Sequence, residues 1–319
     1  MPYYIGVDGG GTKTAFALFD AQGRQVLLRE GAGSNHENLA GSFDEAAEIL
    51  WEGVRALLAQ AGIGIADVGF CLMGLAGVDH PFQYRALLQR LQGYGLARLE
   101  LCNDGFLPIK AGSHSGAAVG LNCGTGTCCN AIDSRGRRVQ LAGLGGFSGD
   151  VGNGVWIATQ AFRLVYDACI LGLEHTLLKE LLFSAYSFRE AAELPVLLAG
   201  LVGEDADRHL RTLIRLFFTA AEAGDVPALR LVEQMALRGA QLIAAHIRTL
   251  DFPARVEVVL SGSIHTKLRS KPYLEALREK AEALSGRALD FTVLDVPPVQ
   301  GCIRWILQEY AEPKGAMNA

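Results

Sequence analysis

The fold of this chain is decided by its first glycine cluster, in the stretch Ile5-Gly6-Val7-Asp8-Gly9-Gly10-Gly11-Thr12-Lys13-Thr14. The apolar residues that end at Val7 predict a buried strand, and residues 15–19 predict a second strand directly after the glycines. The glycines therefore form a tight turn between two antiparallel strands, where another group can approach the backbone closely. Such a turn can direct backbone N–H groups at an anion, and the carboxylate of Asp8 stands where Mg²⁺ would be held beside a bound phosphate.

This stretch differs from the P-loop of nucleotide-binding proteins, in which G-x-x-x-x-G-K-[ST] connects a strand to a helix. Gly6 and Gly11 have the glycine spacing of that motif, but Thr12 stands where its lysine is required and a strand follows. A glycine-rich hairpin that binds no ligand is the alternative interpretation of the same residues.

The composition limits the classes of protein to which the chain can belong. Its 319 residues are enough for about two domains of roughly 150 residues each. A net charge of −5 gives no sign of a nucleic-acid-binding surface. The longest apolar stretches, such as residues 194–202, are too short to span a membrane, and the N-terminus lacks the features of a signal peptide. We therefore expect a cytoplasmic protein whose seven scattered cysteines are reduced, buried thiols.

Residues 1–113 predict three strands followed by alternating helices and strands, a pattern typical of a mixed sheet with helices on its faces. Ligands on such sheets gather at the carboxyl ends of strands, where Asp8 and Asp104 both lie. Asn35 and His36 follow the third strand and could hydrogen-bond a hydroxylated ligand, although an ordinary surface loop is equally compatible. Ser42 is the predicted N-cap of the first helix, with Glu45 completing a capping box.

The same order of elements starts again near residue 116. A strand predicted over 116–122 leads into Gly124-Thr125-Gly126-Thr127, and two further strands follow at 128–132 and 139–142. This order predicts two related halves, each with a phosphate-binding turn, which would face each other across a cleft. Coincidence between two unrelated hairpins is the alternative.

A long glycine-rich connection follows the second set of strands. Six of the twelve residues from 143 to 154 are glycine, and Asp150 is the only ionisable residue among them. Because this connection leads into a helix N-terminus, it suits contact with an anion or a polar ligand. A plain connection between a strand and a helix is the alternative.

The rest of the chain predicts a helical region over 174–250, a strand over 256–260 and a C-terminal helix over 299–310. Ser261-Gly262-Ser263 ends that strand, and so small a turn could hold the flat face of a nucleotide base. The tail after Pro313 is predicted to be disordered.

Taken in order, these motifs resemble those of sugar kinases in the actin/hexokinase/Hsp70 superfamily, and most closely the N-acetylglucosamine kinases of the BadF/BadG/BcrA/BcrD ATPase family. The resemblance implies an α/β, two-lobed actin-like (ribonuclease H-like) fold with a cleft between the lobes. The N-terminal lobe would cover 1–113, and the C-terminal lobe with a helical insertion 114–298. The C-terminal helix and tail, 299–319, would pack back on the N-terminal lobe. The motifs that carry the resemblance are Asp8 to Thr14, Asn103-Asp104, Gly124 to Thr127, Gly149-Asp150 and Ser261-Gly262-Ser263.

By resemblance, the expected activity is ATP- and Mg²⁺-dependent phosphorylation of the 6-hydroxyl of an amino sugar, N-acetylglucosamine or glucosamine. A homodimer is expected because dimers are the commonest oligomers. Asp104 would be the general base, and Asp8 would lie near the metal. The expected nucleotide contacts are Asp8, Gly10, Gly11, Thr12, Lys13, Thr125, Gly126, Ala221, Gly262 and Ser263. The expected sugar contacts are Asn35, His36, Asp104, Thr127, Gly146, Phe147 and Asp150.

The glycine-rich connection departs from the family pattern Gly-Gly-Trp-Gly followed by Gly-Asp-Glu-Gly-Ser. It is shorter, with Phe147 in place of the tryptophan and Val151 in place of the glutamate, and Cys128 replaces the asparagine expected after the second phosphate turn. Phosphoryl transfer is therefore better supported than the choice of sugar. Two other functions stay open. One is an ATPase that activates a reductase or dehydratase through an iron–sulfur cluster, for which Cys123, Cys128 and Cys129 are the candidate ligands. The other is a non-catalytic sugar sensor.

Overall fold

A computed structural model describes residues 2–201, 203 and 205–310. By the density of its internal contacts the chain divides into two compact units. The first unit combines the chain up to Ala117 with the chain from Leu294 onward, and the second is Ala118–Val293. The sequence placed these two boundaries at 113/114 and 298/299.

The first unit is built on a five-stranded mixed sheet. The strands are β1 (Tyr3–Gly9), β2 (Lys13–Phe19), β3 (Gln25–Ala32), β4 (Val68–Leu75) and β5 (Leu99–Cys102), in the order β3-β2-β1-β4-β5. β2 runs antiparallel to both β1 and β3, whereas β4 is parallel to β1 and to β5. Strands β1, β3, β4 and β5 therefore all end at the same edge of the sheet.

Helices pack on this sheet because the strands β1, β2 and β4 are almost continuously apolar and buried. Val7 and Phe16 share a buried core with Leu50 of α1 (Ser42–Ala61), beside α2 (Pro81–Gly93). The predicted N-cap at Ser42 is wrong: Gly41 is the cap, and Glu45 accepts a hydrogen bond from its backbone N–H at 2.7 Å.

The second unit repeats this topology. Its strands are β6 (Ala118–Cys123), β7 (Thr127–Ile132), β8 (Arg138–Ala142), β9 (Arg255–Ser261) and β10 (Ala288–Val293), in the order β10-β9-β6-β7-β8. As in the first unit, three antiparallel strands come first and two parallel strands are added beside the leading one. The repeated order of strands around the two glycine-threonine turns is therefore present in both sheets.

The region from 174 to 250 is helical, as predicted, but broken into separate helices. After α4 (Gly154–Ile170) come α5 (Leu177–Tyr186), α6 (Leu194–Gly200), α7 (Ala206–Glu222) and α8 (Val226–Thr249), followed beyond β9 by α9 (Lys271–Ser285). Asp225 caps α8 by accepting a hydrogen bond from the N–H of Ala228 at 3.1 Å. These helices and the sheet enclose the core of the second unit.

The C-terminal helix belongs to the first unit. After α3 (Leu107–Gly112) of that unit, the chain returns as α10 (Gln300–Trp305) and a π-helical turn, Ile306–Tyr310. The Cys302 thiol donates to the carbonyl of Val7 in β1 at 3.6 Å, and Arg304 donates to the carbonyl of Ala111 in α3. Residues 311–319, including the tail after Pro313, lie outside the described residues. None of the described helices combines the length and the apolar character needed to cross a membrane.

Candidate functional site

Four connecting segments of the first unit meet at the edge where β1, β3, β4 and β5 end. They are the glycine turn after β1, the loop that contains Asn35 and His36, the turn that contains Asp79 and the turn that contains Asp104. Such an edge is where ligands bind on α/β sheets. The chain therefore brings the candidate phosphate, sugar and acid residues of this unit to one place.

The first glycine turn and the loop after β3 are tied together. The N–H of Gly10 donates to the carbonyl of Lys13 at 3.0 Å and closes the turn, and the N–H of Ser34 donates to the carbonyl of Gly10 at 3.0 Å. A side chain at Gly33 would lie 2.4 Å from the carbonyl oxygen of Gly11, so the two backbones can approach this closely only at a glycine.

The tip of the first turn is open to solvent. Gly11 and Thr12 are exposed, and Gly10 is partly exposed, so a phosphate could reach their backbone N–H groups. The Lys13 Nζ is paired with the Glu30 carboxylate on β3 at 2.6 Å, and both side chains are exposed.

Asn35 and His36 hold the loop after β3 in shape. The Asn35 side chain accepts a hydrogen bond from the N–H of Glu37 at 3.0 Å and caps the short turn that follows. His36 is buried and stacks on Phe43 at a centroid distance of 4.1 Å. Burial lowers the pKa of His36, against the opposing charges of Glu37 and Asp79. Its Nδ1 is buried and has no hydrogen-bond partner among the described residues.

Two carboxyl groups at this edge have strongly raised pKa values. Burial raises the pKa of Asp8 to about 6, against the opposing charge of Lys13. Burial also raises the pKa of Asp104 to about 7, helped by the negative charges of Asp8 and Asp79 and opposed by the backbone N–H of Gly105. Perturbed acids that gather in one place are typical of functional sites.

The carboxylate of Asp8 is suited to the way in which proteins bind Mg²⁺. No group of three or more His, Cys, Asp or Glu side chains among the described residues is arranged to enclose a metal ion. Mg²⁺ is instead bound through one or two carboxylates, with waters and substrate phosphates completing its ligands. Asp8 fits such a role because a bound cation would offset the cost of its buried charge.

In the second unit, the other glycine turn lies at the start of α4. The N–H of Gly124 donates to the carbonyl of Gly126 at 2.9 Å, and the N–H of Gly154, the first residue of α4, donates to the carbonyl of Gly124 at 2.8 Å. Thr125 and Gly126 are exposed. A helix N-terminus beside an exposed glycine turn favours binding of an anion such as phosphate.

Gly262 and Ser263 lie against this second turn. Gly262 has a φ of 84°, and a side chain there would lie 2.2 Å from the carbonyl oxygen of Cys123. A Cβ on Gly124 would be 3.8 Å from the backbone nitrogen of Ser263. The structure therefore places Gly262 and Ser263 directly against Cys123 and Gly124, where the second turn begins.

Two predicted contacts lie inside the protein instead. Ala221 is only 1% exposed and packs in the core of the second unit, so its side chain is not presented to a ligand. Thr127 is buried, and its hydroxyl donates to the carbonyl of Val151 at 3.3 Å. The same hydroxyl also lies 4.0 Å from the sulfur of Cys123.

Asp150 organises the connection in which it stands. Its carboxylate accepts hydrogen bonds from the N–H of Gly145 at 2.8 Å, the N–H of Gly143 at 3.1 Å and the hydroxyl of Ser148 at 2.6 Å. Arg238 on α8 holds the same connection from outside by donating to the carbonyl of Gly149 at 3.1 Å. These bonds fix the backbone of residues 143–150.

The tip of the same connection is exposed. The side chain of Phe147 is fully exposed, Leu144 is 67% exposed, and Gly146 is open to solvent. A glycine-rich tip with an exposed aromatic ring is suited to pack on a ligand.

The cysteines proposed as cluster ligands are mostly buried. Cys123 and Cys129 lie in the core, and burial raises the pKa of both thiols, that of Cys123 to about 12. Cys128 is partly exposed. All seven cysteines are free thiols, and Cys169 is the other one that is not buried. A raised pKa disfavours the thiolate form that binds metals.

Sequence reasoning assigned no role to Asp79, Asn153 or Arg238. Asp79 follows the end of a predicted strand, which is the signal that could have found it. Asn153 accepts the N–H of Trp156 at 2.9 Å and caps α4, as its position before a helix could have suggested. Arg238 stands in a long helical pattern, and only the folded chain shows what it contacts.

Two curated relatives match parts of this chain. The N-acetylmuramic acid/N-acetylglucosamine kinase of Clostridium acetobutylicum is 26% identical over 164 residues, 51% of this chain and 53% of the relative. The N-acetyl-D-glucosamine kinase of Dictyostelium discoideum is 26% identical over 176 residues, 52% of this chain and 54% of the relative. The chain thus spans about half the length of the curated relatives that it matches.

Solved structures match over almost the whole chain. A protein from Chromobacterium violaceum, provisionally named N-acetylglucosamine kinase, is similar with a TM-score of 0.65 and 24% identity, covering 95% of this chain and 98% of its own. The ROK hexokinase of Thermus thermophilus has a TM-score of 0.59 and 19% identity, covering 96% and 97%. These likenesses confirm the α/β, actin-like fold expected from the motifs.

The family follows from the whole set of motifs rather than from one of them. The model of the BadF/BadG/BcrA/BcrD ATPase family matches residues 5–287, a span that includes both glycine turns, Asp104, the glycine-rich connection and Gly262. This chain belongs to the BadF/BadG/BcrA/BcrD ATPase family.

Proposed function

We propose that this protein is an ATP-dependent kinase that transfers a phosphoryl group to the 6-hydroxyl of an amino sugar, N-acetylglucosamine or glucosamine. The observation that carries the proposal is the position of Asp104. Its carboxyl group stands at the end of β5, beside Asp8 and Asp79, with a pKa raised to about 7. The relatives named N-acetylglucosamine kinases support the choice of substrate class.

Asp104 has the properties of a general base for an alcohol. A sugar hydroxyl is a poor nucleophile, and a carboxylate within hydrogen-bond reach would accept its proton as the new bond to phosphorus forms. A base works best when its pKa lies near the operating pH, and such help is worth about 10²–10⁴-fold in rate. Because Asp104 is only partly buried, a substrate hydroxyl could reach it.

The glycine turns supply the other requirement, which is to hold charge in place. Phosphoryl transfer asks the protein mainly for positioning and for stabilisation of the phosphate oxygens. Gly10, Gly11 and Thr12 would do this in the first unit, and Thr125 and Gly126 in the second, each through an exposed turn. Mg²⁺, held by Asp8, would supply positive charge to the phosphates when it is bound.

Each unit offers one segment suited to a sugar, which is the loop after β3 in the first unit and the glycine-rich connection in the second. Asn35 and His36 offer polar groups in the loop that packs against Gly77, and Phe147 offers an exposed ring. Asp150 would act by shaping the connection, because three donors of that connection already occupy its carboxylate.

Coupled release of ADP with a panel of amino sugars tests the proposal. A kinase shows turnover that depends on a sugar, whereas an activating ATPase hydrolyses ATP without one and a sensor binds sugar without releasing ADP. We expect Asp104→Asn to fold normally and to lose about 10²–10⁴-fold in kcat. Asp44→Asn, which changes an exposed acid on α1 of the same unit, is the matched control. Near-normal kcat in Asp104→Asn would show that Asp104 is not the base.

A further inference from the structure

Asn103, the residue before the candidate base, is held at both ends of its side-chain amide. Its Nδ2 donates to the Oδ1 of Asp79 at 2.9 Å, and its Oδ1 accepts a hydrogen bond from the N–H of Gly105 at 2.8 Å. Asn103 is buried and caps the short turn Asp104–Phe106. The Asp79–Asn103 contact therefore fixes the residues on both sides of Asp104.

The carboxylate of Asp79 sets which way the Asn103 amide points. An amide has a donor end and an acceptor end of nearly equal size, and its neighbours decide between the two orientations. A carboxylate accepts only, so it binds the NH₂ group and leaves the carbonyl oxygen for Gly105. Without that carboxylate, the amide could turn and bring its NH₂ group against another N–H donor.

Asp79 is itself fixed to the candidate sugar loop. The buried Gln83 accepts the N–H groups of Asp79 at 2.9 Å and of His80 at 2.8 Å through its Oε1. Its Nε2 donates to Glu37, the residue after His36, at 3.4 Å. A chain of hydrogen bonds thus runs from the loop after β3, through Gln83, Asp79 and Asn103, to the turn that carries Asp104.

The packing around Gly77 brings the same segments together independently of these bonds. A side chain at Gly77 would lie 2.4 Å from the Oδ1 of Asn35 and 3.0 Å from the Cε1 of His36. The turn that ends in Asp79 therefore lies directly against the candidate sugar loop.

We propose that Asp79 is a positioning residue, which holds Asp104 in place for proton transfer by fixing the orientation of the Asn103 side chain. This inference rests on the proposed kinase function and adds a residue to its machinery. Asp79 need not touch the sugar in this role. A misplacement of about 1 Å in a catalytic group can cost about 10²-fold in rate, so losing this hydrogen bond should lower kcat.

The test compares variants that keep or remove the hydrogen-bond acceptor. Asp79→Ala and Asn103→Ala each break the contact, and we expect about a 10- to 100-fold loss of kcat with the KM for ATP unchanged. Asp79→Asn keeps a carbonyl oxygen that can accept from the Asn103 Nδ2 while the Gly105 N–H still holds the Asn103 Oδ1, so it should lose less kcat than Asp79→Ala. The double variant should be no worse than either single one, because both changes break one contact. Glu48→Ala, an exposed acid on α1, is the control for surface charge.

Amide hydrogen exchange supplies a readout that does not depend on turnover. The Gly105 N–H should exchange faster in Asp79→Ala and in Asn103→Ala than in the wild type or in Asp79→Asn, with melting temperatures confirming that all four proteins fold.

Three results would overturn the inference. They are normal kcat in Asp79→Ala, equal losses in Asp79→Asn and Asp79→Ala, and losses in the two alanine variants that multiply in the double variant. The wild-type assay separates the proposed kinase activity from the proposed role of Asp79. A wild type without sugar-dependent ADP release overturns the kinase proposal and this inference with it, whereas an active wild type together with an Asp79→Ala variant of normal kcat overturns this inference alone.

Discussion

The backbone N–H of Gly154 donates to the carbonyl of Gly124 at 2.8 Å and joins the start of α4 to the second glycine turn. This bond brings the end of the glycine-rich connection back to the turn after β6. Thr127 adds a second tie from β7 to Val151 in that connection. Within the second unit, therefore, a candidate phosphate turn and a candidate sugar segment share one framework.

Gly262→Ala should weaken nucleotide binding more than its backbone strain alone explains. A methyl group there would meet the carbonyl oxygen of Cys123 at 2.2 Å, so the turn must move away from Gly124. Gly286→Ala is the matched control because Gly286 also has a positive φ, of 64°, but nothing lies within 4 Å of its added Cβ. Both variants should lose about 1–2 kcal/mol of stability from the left-handed conformation. Calorimetric titration with ADP should show weaker binding for Gly262→Ala only, and equal affinities would remove Gly262 from the nucleotide site.

The contribution of Asp104 to the stability of the ligand-free protein should fall as pH rises from about 4 to about 7. Its native pKa of about 7 lies above the ordinary value of 3.8, so the folded state binds its proton more tightly than the unfolded state does. Its contribution is therefore complete at low pH and is lost as the group ionises in the folded protein. Urea unfolding across this range should show Asp104→Asn gaining stability relative to the wild type as pH rises.

Asp290→Asn is the control of opposite sign for this pH series. Arg255 pairs with Asp290 at 2.5 Å and lowers its pKa, so the contribution of Asp290 is lost as pH falls. A stability difference between the wild type and Asp104→Asn that stays constant from pH 4 to pH 7 would contradict the raised pKa of Asp104.

Asp150→Ala should loosen the glycine-rich connection and raise the KM for sugar far more than the KM for ATP. The substitution leaves the N–H groups of Gly143 and Gly145 without their acceptor, whereas Ser148→Ala removes one donor to that carboxylate and the acceptor of the Leu144 N–H. Hydrogen exchange over residues 143–150 should rise strongly in the first variant and slightly in the second. Equal effects on the two KM values would separate Asp150 from the sugar site.

Phe147→Ala should leave stability unchanged and raise the KM for sugar. A fully exposed ring contributes nothing to the core, so the unfolding free energy should change by less than about 0.5 kcal/mol. Leu144→Ala changes an exposed apolar residue of the same connection and serves as the control. Sugar titrations that give the same KM for Phe147→Ala and the wild type would exclude contact between the ring and the substrate.

Most of the architecture could be predicted because it depends on patterns of residues that are close together in the sequence. The strands and the two glycine-threonine turns follow from apolar runs and glycine clusters, and their repeated order predicted the repeated topology of the two sheets. The N-cap of α1 was predicted wrongly because two neighbouring residues can each take that position. Ser42 has the composition of an N-cap, but Gly41 takes that position and leaves Ser42 with a φ of 49°.

The candidate site was predicted less completely. Their positions at the ends of strands and the resemblance both placed Asp8 and Asp104 among the functional residues. The structure puts them close enough for the charge of Asp8 to raise the pKa of Asp104. The resemblance also assigned ligand contacts to Ala221 and Thr127, whose side chains are buried. A sequence motif records which residue type stands at a position but not which way its side chain points.

The sequence by itself determined the strands, the turns between them and the acids that end them, because backbone conformation and burial follow from the pattern of neighbouring residues. Only the tertiary structure decided the partners of the polar groups, such as Asp79 for Asn103 and the glycine-rich connection for Asp150. The physical reason is that a hydrogen bond depends on distance and direction between groups far apart in the chain, and the packing of the whole unit sets both.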